Sequence, residues 1–286
     1  METKTKPDFK GKPLIEVPSF IPQIGFLEGD FGKDFLKEYK GRVETDYKGN
    51  SKLNVLKYDE VVRGSNPFAV VLANKILRQE GLRTTTQADL EKTLKIGWNL
   101  RGTYEDTGLV LRSENDSDYS RNIPLAKDIG SRLRARGIKF SSKNPVMIPL
   151  TGLELENADN DYGLVFKLRG DAEIYETPIL KDGGNFSSKN IDEKTGLPIK
   201  LGNGDRTLYT RDSGLSRLCL YVNLNLYSYD GGLDDSSVDG RVVVVSAEGT
   251  SPNFNEYLSN LQRLRDEEIA KIQKRYTEAE EVLRGK

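Results

Sequence analysis

The sequence of 286 residues contains no histidine and only one cysteine, Cys219. Without an imidazole the chain cannot form a Ser-His-Asp or Cys-His nucleophile, nor a metal centre ligated by histidine. One cysteine cannot form an internal disulfide, and since Leu218 and Leu220 flank it, we expect a buried, unreactive thiol. Chemistry is left to carboxylates, tyrosine, lysine and arginine. We therefore expect a protein without a cofactor that works in a reducing cytoplasm.

Long hydrophobic runs are also absent. The apolar runs are short, such as residues 242–245, and fall far below the length that crosses a bilayer, while the polar start of the chain does not resemble a signal peptide. Mean hydropathy is -0.58 and 30% of the residues are charged, but 36% hydrophobic and 8% aromatic residues are enough for a folded core. We expect a soluble, cytoplasmic protein that does not enter a membrane.

The formal net charge is only -1, but the charges are unevenly distributed along the chain. Residues 61–145 carry 15 Lys and Arg against 9 Asp and Glu, whereas residues 146–286 carry 17 against 24. A basic middle followed by an acidic end either marks a surface for a partner or lets the two parts of the molecule attract each other.

Three helices are predicted in the first half of the chain, each with its own end signals. The clearest is the second, in which Thr86 and, three residues later, Asp89 form a capping box. Ser65 is expected to cap the first helix, and Gly81 and Gly137 give the first and third helices left-handed stops. The predicted ranges are 67–80, 87–96 and a third helix from Pro124 to Gly137, with a short helix at 33–40 and a strand at 108–113 besides.

From Gly137 onward the spacing of apolar residues changes from about 3.6 to about 2, which predicts strands. Asn-Gly within 202–205 predicts a tight hairpin turn. We predict an α+β fold with a mixed lobe of three helices at 1–137, an antiparallel β domain at 138–250 that forms a sandwich or open barrel, and a long charged C-terminal helix at 251–286. The predicted strands are 138–141, 146–155, 164–168, 174–180, 199–201, 207–210, 218–229 and 241–247.

The apolar residues of the predicted C-terminal helix follow steps of three and four. Ile269, Ile272, Tyr276, Ala279 and Leu283 keep a heptad register for little more than two heptads, which is too short to define a coiled coil. We therefore expect a helix that docks on the body of the protein, with an oligomerisation arm as the alternative.

The strongest candidate for binding is a cluster of cations, called here the basic segment: Arg132, Arg134, Arg136, Lys139 and Lys143. Neutralisation of phosphates by Lys and Arg provides most of the affinity for nucleic acid, so the predicted partner is nucleic acid or an acidic protein. Cations in the last turn of a helix also stabilise the helix dipole, so a purely structural role stays open. The first two helices lack a recognition-helix pattern, and a helix-turn-helix motif is not predicted.

An oxygen-lined cation site is the second candidate. Asp235, Ser237 and Asp239 occupy positions 1, 3 and 5 of a calcium-type loop, and Gly240 occupies position 6. Position 12 is Ser246, so the bidentate glutamate of an EF-hand is missing. The alternative is a hairpin turn at Asp-Gly between two strands.

A polar and aromatic strand face is the third candidate. Tyr221, Asn223, Asn225 and Tyr227 alternate with apolar residues, so one face of a strand would present rings and amides. Such a face suits the stacking of a sugar or a nucleobase. Cross-strand tyrosine pairs are also favourable without any ligand.

Carboxylate pairs on the β domain are the last candidate. Glu154 and Glu156 share a strand face, and Glu173 and Glu176 follow nearby, so these carboxylates are the candidates for a pair at glycosidase separation. With 44 acidic residues, adjacent carboxylates also arise by chance. We predict a binding or assembly protein that contacts an anionic partner through the basic segment, and as the alternative a carboxylate hydrolase that uses a divalent cation.

Overall fold

The computed structural model describes residues 24–115, 119–246, 269–277, 280 and 284. The fold is α+β, as predicted, with helices and strands interspersed along the chain. Short 3-10 turns at Arg78–Glu80, Ser120–Asn122, Leu150–Gly152 and Pro178–Lys181 join these elements. The helices are α1 (Gly29–Tyr47), α2 (Pro67–Leu77), α3 (Gln87–Lys95) and α4 (Ile123–Ala135), and residues 269–277 are helical near the C terminus.

Local signals explain where most helices begin and end. The capping box of α3 is confirmed, since the Thr86 hydroxyl accepts from the backbone N–H of Asp89 and the Asp89 carboxylate accepts from that of Thr86. Gly81 and Gly137 adopt the expected left-handed conformation, with φ of 68° and 76°. The cap of α2 is Asn66 rather than Ser65, because the Asn66 side chain accepts from the first turn of the helix.

The α1 helix is longer than the segment predicted at 33–40. It runs through Gly41, which lies on an exposed part of the helix where even a Cβ would meet no neighbour. A glycine inside a helix costs only about 1 kcal/mol. Buried contacts of the apolar stripe of α1, including Phe35, Tyr39 and Val43, continue past that position and hold the longer helix.

Within the described residues, fifteen short strands form three sheets. The main sheet has ten strands in the order β10-β11-β13-β12-β5-β14-β3-β2, with β6 pairing to β5 and β9 to β6. A three-stranded sheet has the order β1-β15-β4, and β7 and β8 form a hairpin. The strands are β1 (Ile24–Phe26), β2 (Lys57–Asp59), β3 (Val61–Arg63), β4 (Leu82–Thr84), β5 (Tyr104–Leu111), β6 (Val146–Pro149), β7 (Leu153–Asn157), β8 (Leu164–Leu168), β9 (Tyr175–Glu176), β10 (Gly184–Phe186), β11 (Arg206–Thr210), β12 (Leu215–Leu220), β13 (Leu226–Ser228), β14 (Gly240–Arg241) and β15 (Val243–Ser246).

The main sheet is built around β5, which is buried along its whole length. Strand β12 runs antiparallel to it on one side, while β6 and β14 share the other side. The sheet is mixed, because β14 runs parallel to β5 and β11 runs parallel to β13, and in the described part of the chain it does not close into a barrel. Strands from both predicted lobes thus pair within one sheet.

Alternate residues of β5 supply two hydrophobic cores on opposite faces of the sheet. Leu109 and Leu111 join the core that includes α1, α2 and α4, where Phe68 stacks on Phe166 with ring centroids 4.7 Å apart. Val110 joins the second core, which includes Leu90 of α3. The sheet therefore lies between two layers, as its period of two requires.

Six of the eight strands predicted after Gly137 differ from the structure. The segments 146–155 and 241–247 each contain parts of two strands, β6 and β7 in the first and β14 and β15 in the second, and within 174–180 only Tyr175–Glu176 is a strand. The segment 218–229 is a hairpin of β12 and β13 rather than one strand, and 138–141 and 199–201 are not strands. The segment 202–205 is a loop rather than a hairpin turn, since β11 pairs with β10. A Cβ at Gly204 would lie 1.9 Å from the backbone carbon of Phe186, so close backbone approach explains this glycine.

The described C-terminal helical residues present their apolar side chains to solvent. Ile272 is 63% exposed and Tyr276 is 70% exposed, so this part of the stripe is not covered by the body of the protein. Predicted helical residues 251–268, together with Ala279 and Leu283, lie outside the described residues. No helix in the described ranges is both long enough and apolar enough to cross a membrane.

Candidate functional site

A groove of about 530 Å³ lies where the end of α4 meets the segment that follows β5. Two members of the basic segment, Arg134 and Lys139, line it together with the aromatic ring of Phe140. The remaining lining residues are Arg112, Ser113, Glu114, Asn115, Ser141 and Ser142. Cations, hydroxyls and an aromatic side chain therefore share one concave surface, which we call the basic groove.

Two glycines shape the basic groove. The left-handed Gly137 ends α4 and turns the chain back, so that Lys139 and Phe140 return along the end of the helix. A Cβ at Gly130 would lie 2.1 Å from a carboxylate oxygen of Glu114 and 2.9 Å from the ring of Phe140. Glycine at position 130 therefore lets both side chains pack directly against α4.

Three of the five cations of the basic segment already have partners. Arg132 pairs with Asp128 one turn earlier at 2.8 Å, and Arg134 pairs with Glu114 at 2.7 Å. Arg136 donates to the backbone carbonyls of residues 168 and 169. These contacts are those of a solvated helix end, and they lower the positive charge that the segment offers to a ligand.

Lys139 and Lys143 differ from these three arginines in their exposure and in their partners. Both side chains are exposed, and neither forms an ion pair with any residue of the described ranges. Lys143 follows directly after the groove residue Ser142. The two lysines are therefore the members of the basic segment whose charge is available to an anion.

Arg112 belongs to the lining of the groove, but its guanidinium lies among residues that do not line the groove, so it does not face a ligand there. Arg112 is fully buried, and among the described residues no carboxylate lies within ion-pair distance of it. Burial, with a further contribution from the neighbouring Arg211, lowers the pKa of Arg112 to about 9. Its hydrogen bonds all go to neutral oxygens, namely the hydroxyls of Thr210, Ser216 and Ser228 and the carbonyls of Leu180 and Ser228.

The predicted aromatic face forms a row of tyrosines on the main sheet. The ring centroids of Tyr209 and Tyr227 are 4.5 Å apart, those of Tyr227 and Tyr221 are 4.3 Å apart, and Tyr104 follows at 6.4 Å from Tyr221. Tyr209 and Tyr221 are about two-fifths exposed, at 41% and 37%. The rings within the row contact one another, two pairs tilted and one stacked, and cross-strand tyrosine pairs of this kind are favourable without a ligand.

The side-chain amides of Asn223 and Asn225 accept hydrogen bonds from backbone N–H groups. Asn225 accepts from the backbone N–H of Thr207 at 2.8 Å, and Asn223 accepts from that of Asn225 at 3.1 Å. Between them Leu224 has a positive φ of 68°. A ligand platform made of Tyr221, Asn223, Asn225 and Tyr227 therefore stays a prediction, with part of its hydrogen-bonding capacity already used.

The loop predicted to hold a cation makes local contacts. The hydroxyl oxygen of Ser237 accepts from the backbone N–H of Asp239, and the Ser237 N–H donates to the hydroxyl of Tyr104. A Cβ at Gly232 would lie 1.9 Å from the Asp235 carboxylate, so this carboxylate packs against the loop itself. Across the described ranges, no three Asp, Glu or Cys side chains are grouped to hold a metal ion. The cation site of Asp235, Ser237 and Asp239 stays a prediction.

The candidate catalytic carboxylates are mostly paired. On the β7–β8 hairpin, Glu154 contacts Arg169 at 3.2 Å and Glu156 contacts Lys167 at 2.9 Å. Glu176 accepts from the side chain of Asn144 at 3.1 Å. These contacts neutralise or occupy the carboxylates that the hydrolase alternative would use.

No family model, curated protein or solved structure matches the chain. The contacts themselves are thus the basis for inferring function. From the predicted residues, the fold brings Arg134 and Lys139 into one groove and Tyr221 and Tyr227 into one row. Sequence reasoning did not select the other groove residues, Arg112, Glu114 and Phe140. Arg112 lies near the end of a predicted strand, Glu114 in an acidic tract, and Phe140 in another predicted strand.

Proposed function

We propose that the protein binds single-stranded nucleic acid in the basic groove. The observation that carries this proposal is the shared concave surface on which Arg134, Lys139 and Phe140 lie together. Proteins that bind single strands combine cations along the backbone path with aromatic side chains beside the bases. The groove contains both kinds of group, and its serine and asparagine side chains add donors for phosphate oxygens.

The positive charge of the exposed lysines supports the binding of a phosphate at the groove. Lys139 and Lys143 are both exposed, and neither has an ion-pair partner in the described ranges. A phosphate in the groove would be attracted by this exposed positive charge.

The pair of Arg134 with Glu114 does not block the groove. The Arg134 side chain is about half exposed, and exposed ion pairs contribute only about 0–1 kcal/mol. The Arg134 guanidinium also lies over the ring of Phe140, 5.8 Å from its centroid. A phosphate can therefore take a share of the Arg134 donors at small cost while a base approaches Phe140.

The test compares the wild-type protein with the double variant Lys139→Gln/Lys143→Gln. Binding of a fluorescently labelled oligothymidylate is measured by anisotropy over a series of salt concentrations. We expect the double variant to bind on the order of tenfold more weakly at low salt. Since about 0.7 counterions are released for each phosphate neutralised on a single strand, the slope of log K against log salt should decrease by about 1.4.

A matched control is Lys57→Gln/Lys200→Gln, which removes the same charge from two exposed lysines outside the groove. This control should keep the wild-type affinity and salt slope. Equal losses in both double variants would show that only net charge matters. Absence of oligonucleotide binding by the wild-type protein at low salt would contradict the proposal and leave an acidic protein as the partner to test.

A further inference from the structure

A second concave surface, which we call the polar cleft, lies on the face of the main sheet opposite α1 and α2. It has a volume of about 300 Å³ and lies between the first turn of α3, the end of β6 and two loops. Its lining comprises Arg83, Thr86, Gln87, Ala88, Asp89, Lys92, Thr107, Met147, Pro149, Thr151, Glu173, Tyr175, Glu193, Lys194 and Thr195. This volume is at the lower end of the range for small-molecule sites.

Gln87, Thr107 and Met147 are the most buried lining residues, each about 2% exposed. The amide of Gln87 has a fixed orientation, because its nitrogen donates to Glu91 at 3.0 Å and its oxygen accepts from the Thr107 hydroxyl at 3.2 Å. Glu91 is held in turn by two hydrogen bonds from Arg206, at 2.7 and 2.8 Å.

The ion pair of Glu91 with Arg206 is itself buried, since each side chain is only 5% exposed. A buried ion pair is a costly way to stabilise a core, and apolar residues of similar size often do so better. Here the pair fixes the amide of a lining residue. Support of this kind from behind a surface is what a binding site needs to hold its polar groups in place.

Backbone irregularities also meet at the polar cleft. The pairing of β5 with β12 shifts register at Leu218 and Cys219, next to the position of Thr107, and bulges are frequent beside functional sites. On the other wall, Gly196 has a φ of 72°, and its Cβ would lie 2.4 Å from the backbone carbon of Gln87. This glycine lets the 193–195 loop close tightly against α3.

The charges around the polar cleft balance. Its three cations are Arg83, Lys92 and Lys194, and its three acidic residues are Asp89, Glu173 and Glu193. Asp89 pairs with Arg83, Glu173 accepts from the hydroxyl of Tyr175, and the Lys194 ammonium lies 5.2 Å from the centre of the Tyr175 ring. A site with no net charge does not select for an ion.

We propose that the polar cleft binds a neutral, polyhydroxylated ligand of the size of a mono- or disaccharide. Threonine hydroxyls and the Gln87 amide both donate and accept, which matches the hydroxyl groups of a sugar. Carboxylates such as Glu173 accept from neighbouring hydroxyls, while Lys194 donates to them. Met147, Pro149 and the Tyr175 ring supply apolar surface for the C–H groups of the sugar. This site is separate from the basic groove, and the proposal does not depend on nucleic-acid binding.

Saturation-transfer NMR on the full chain tests this proposal with a panel of glucose, galactose, mannose, N-acetylglucosamine, maltose and cellobiose. We expect at least one of these sugars to bind at millimolar concentration. Glu173→Gln and Lys194→Met each remove one charged group from an exposed position of the cleft. Each should weaken binding of that sugar on the order of fivefold to tenfold without affecting the fold.

Matched control variants are Glu176→Gln and Lys189→Met, which make the same changes at exposed positions outside the cleft lining. They should bind the sugar as the wild-type protein does. The proposal is overturned if no sugar of the panel gives a transfer signal. It is also overturned if the cleft and control variants bind equally well, or if citrate binds where the sugars do not.

Discussion

Replacement of Asp106 by alanine is expected to lower the free energy of unfolding by about 3–5 kcal/mol, because it removes the close counter-charge of the buried Arg217 guanidinium and leaves the longer contact with Asp230 at 3.8 Å. Arg217 donates from two nitrogens to Asp106, each at 2.7 Å, and the two side chains are 5% and 0% exposed. Ser65 donates to the same carboxylate at 2.5 Å. The alanine variant would remove the acceptor for all three hydrogen bonds at once.

The loss of contacts in the Asp106→Ala variant should extend beyond the main sheet. Arg217 also donates to the backbone carbonyl of Asp235 at 3.0 Å, and its guanidinium lies 5.2 Å from the centre of the Tyr104 ring. Position 217 thus ties β12 to the loop that contains Asp235. A guanidinium that moves towards water in the variant would release these contacts together, since coupled hydrogen bonds are not lost independently.

Urea denaturation followed by circular dichroism measures this effect. Asp30→Ala is the matched control, because it removes an aspartate whose side chain is 95% exposed in its pair with Lys33, and it should leave the denaturation midpoint unchanged. In the double variant Asp106→Ala/Arg217→Met the buried cation is gone as well, so part of the lost stability should return. A midpoint shift as small as that of the control would show that the pair is not a source of stability.

Helix ends were predictable from the sequence because their signals are local. The capping box of Thr86 and Asp89 joins residues three positions apart, and the stop at Gly81 depends on one residue. Strand pairing was not predictable in the same way. Apolar and polar residues alternate without a break from 218 to 229, but the chain turns near Leu224, and only contacts with β5 and β11 reveal where.

Burial of charge was the main obstacle to predicting the candidate sites. The sequence identified Arg134 as a cation on a helix end, but its partner Glu114 lies 20 residues earlier and gives no local signal. Arginine is usually found at the surface, yet Arg112 is fully buried among hydroxyl groups. The polar cleft joins Gln87, Thr107 and Met147 from three separate elements, so no spacing in the sequence could have predicted it.

Glu105 should make the protein less stable as pH rises through the neutral range. It is 1% exposed on β5, one of its oxygens accepts from the Thr103 hydroxyl at 2.6 Å, and the other finds no hydrogen-bond partner in the described part of the chain. Burial raises the pKa of Glu105 to about 8, against an ordinary value of 4.5. The facing Arg241 opposes this shift in pKa and the neighbouring Asp106 adds to it.

The sign follows from proton binding. Between pH 4.5 and about 8 the folded state keeps the Glu105 proton while the unfolded state has lost it, so rising pH favours unfolding. The loss is about 1.4 kcal/mol for each pH unit and about 3–5 kcal/mol in total, and it ends above the folded pKa. Below the pKa of Glu105 in the unfolded state, both states bind the proton, and the carboxyl no longer lowers stability as pH rises.

Glu105→Gln should therefore match the wild-type protein near about pH 4 and exceed its stability by about 3–5 kcal/mol near about pH 9. Urea midpoints of both proteins across this range test the prediction, with Glu176→Gln as a control that changes an exposed glutamate. The control should keep the wild-type slope, whereas Glu105→Gln should flatten it. Parallel curves for Glu105→Gln and the wild type would mean that the carboxyl reaches water or a cation when it ionises, and that β5 opens at this position without unfolding of the whole protein.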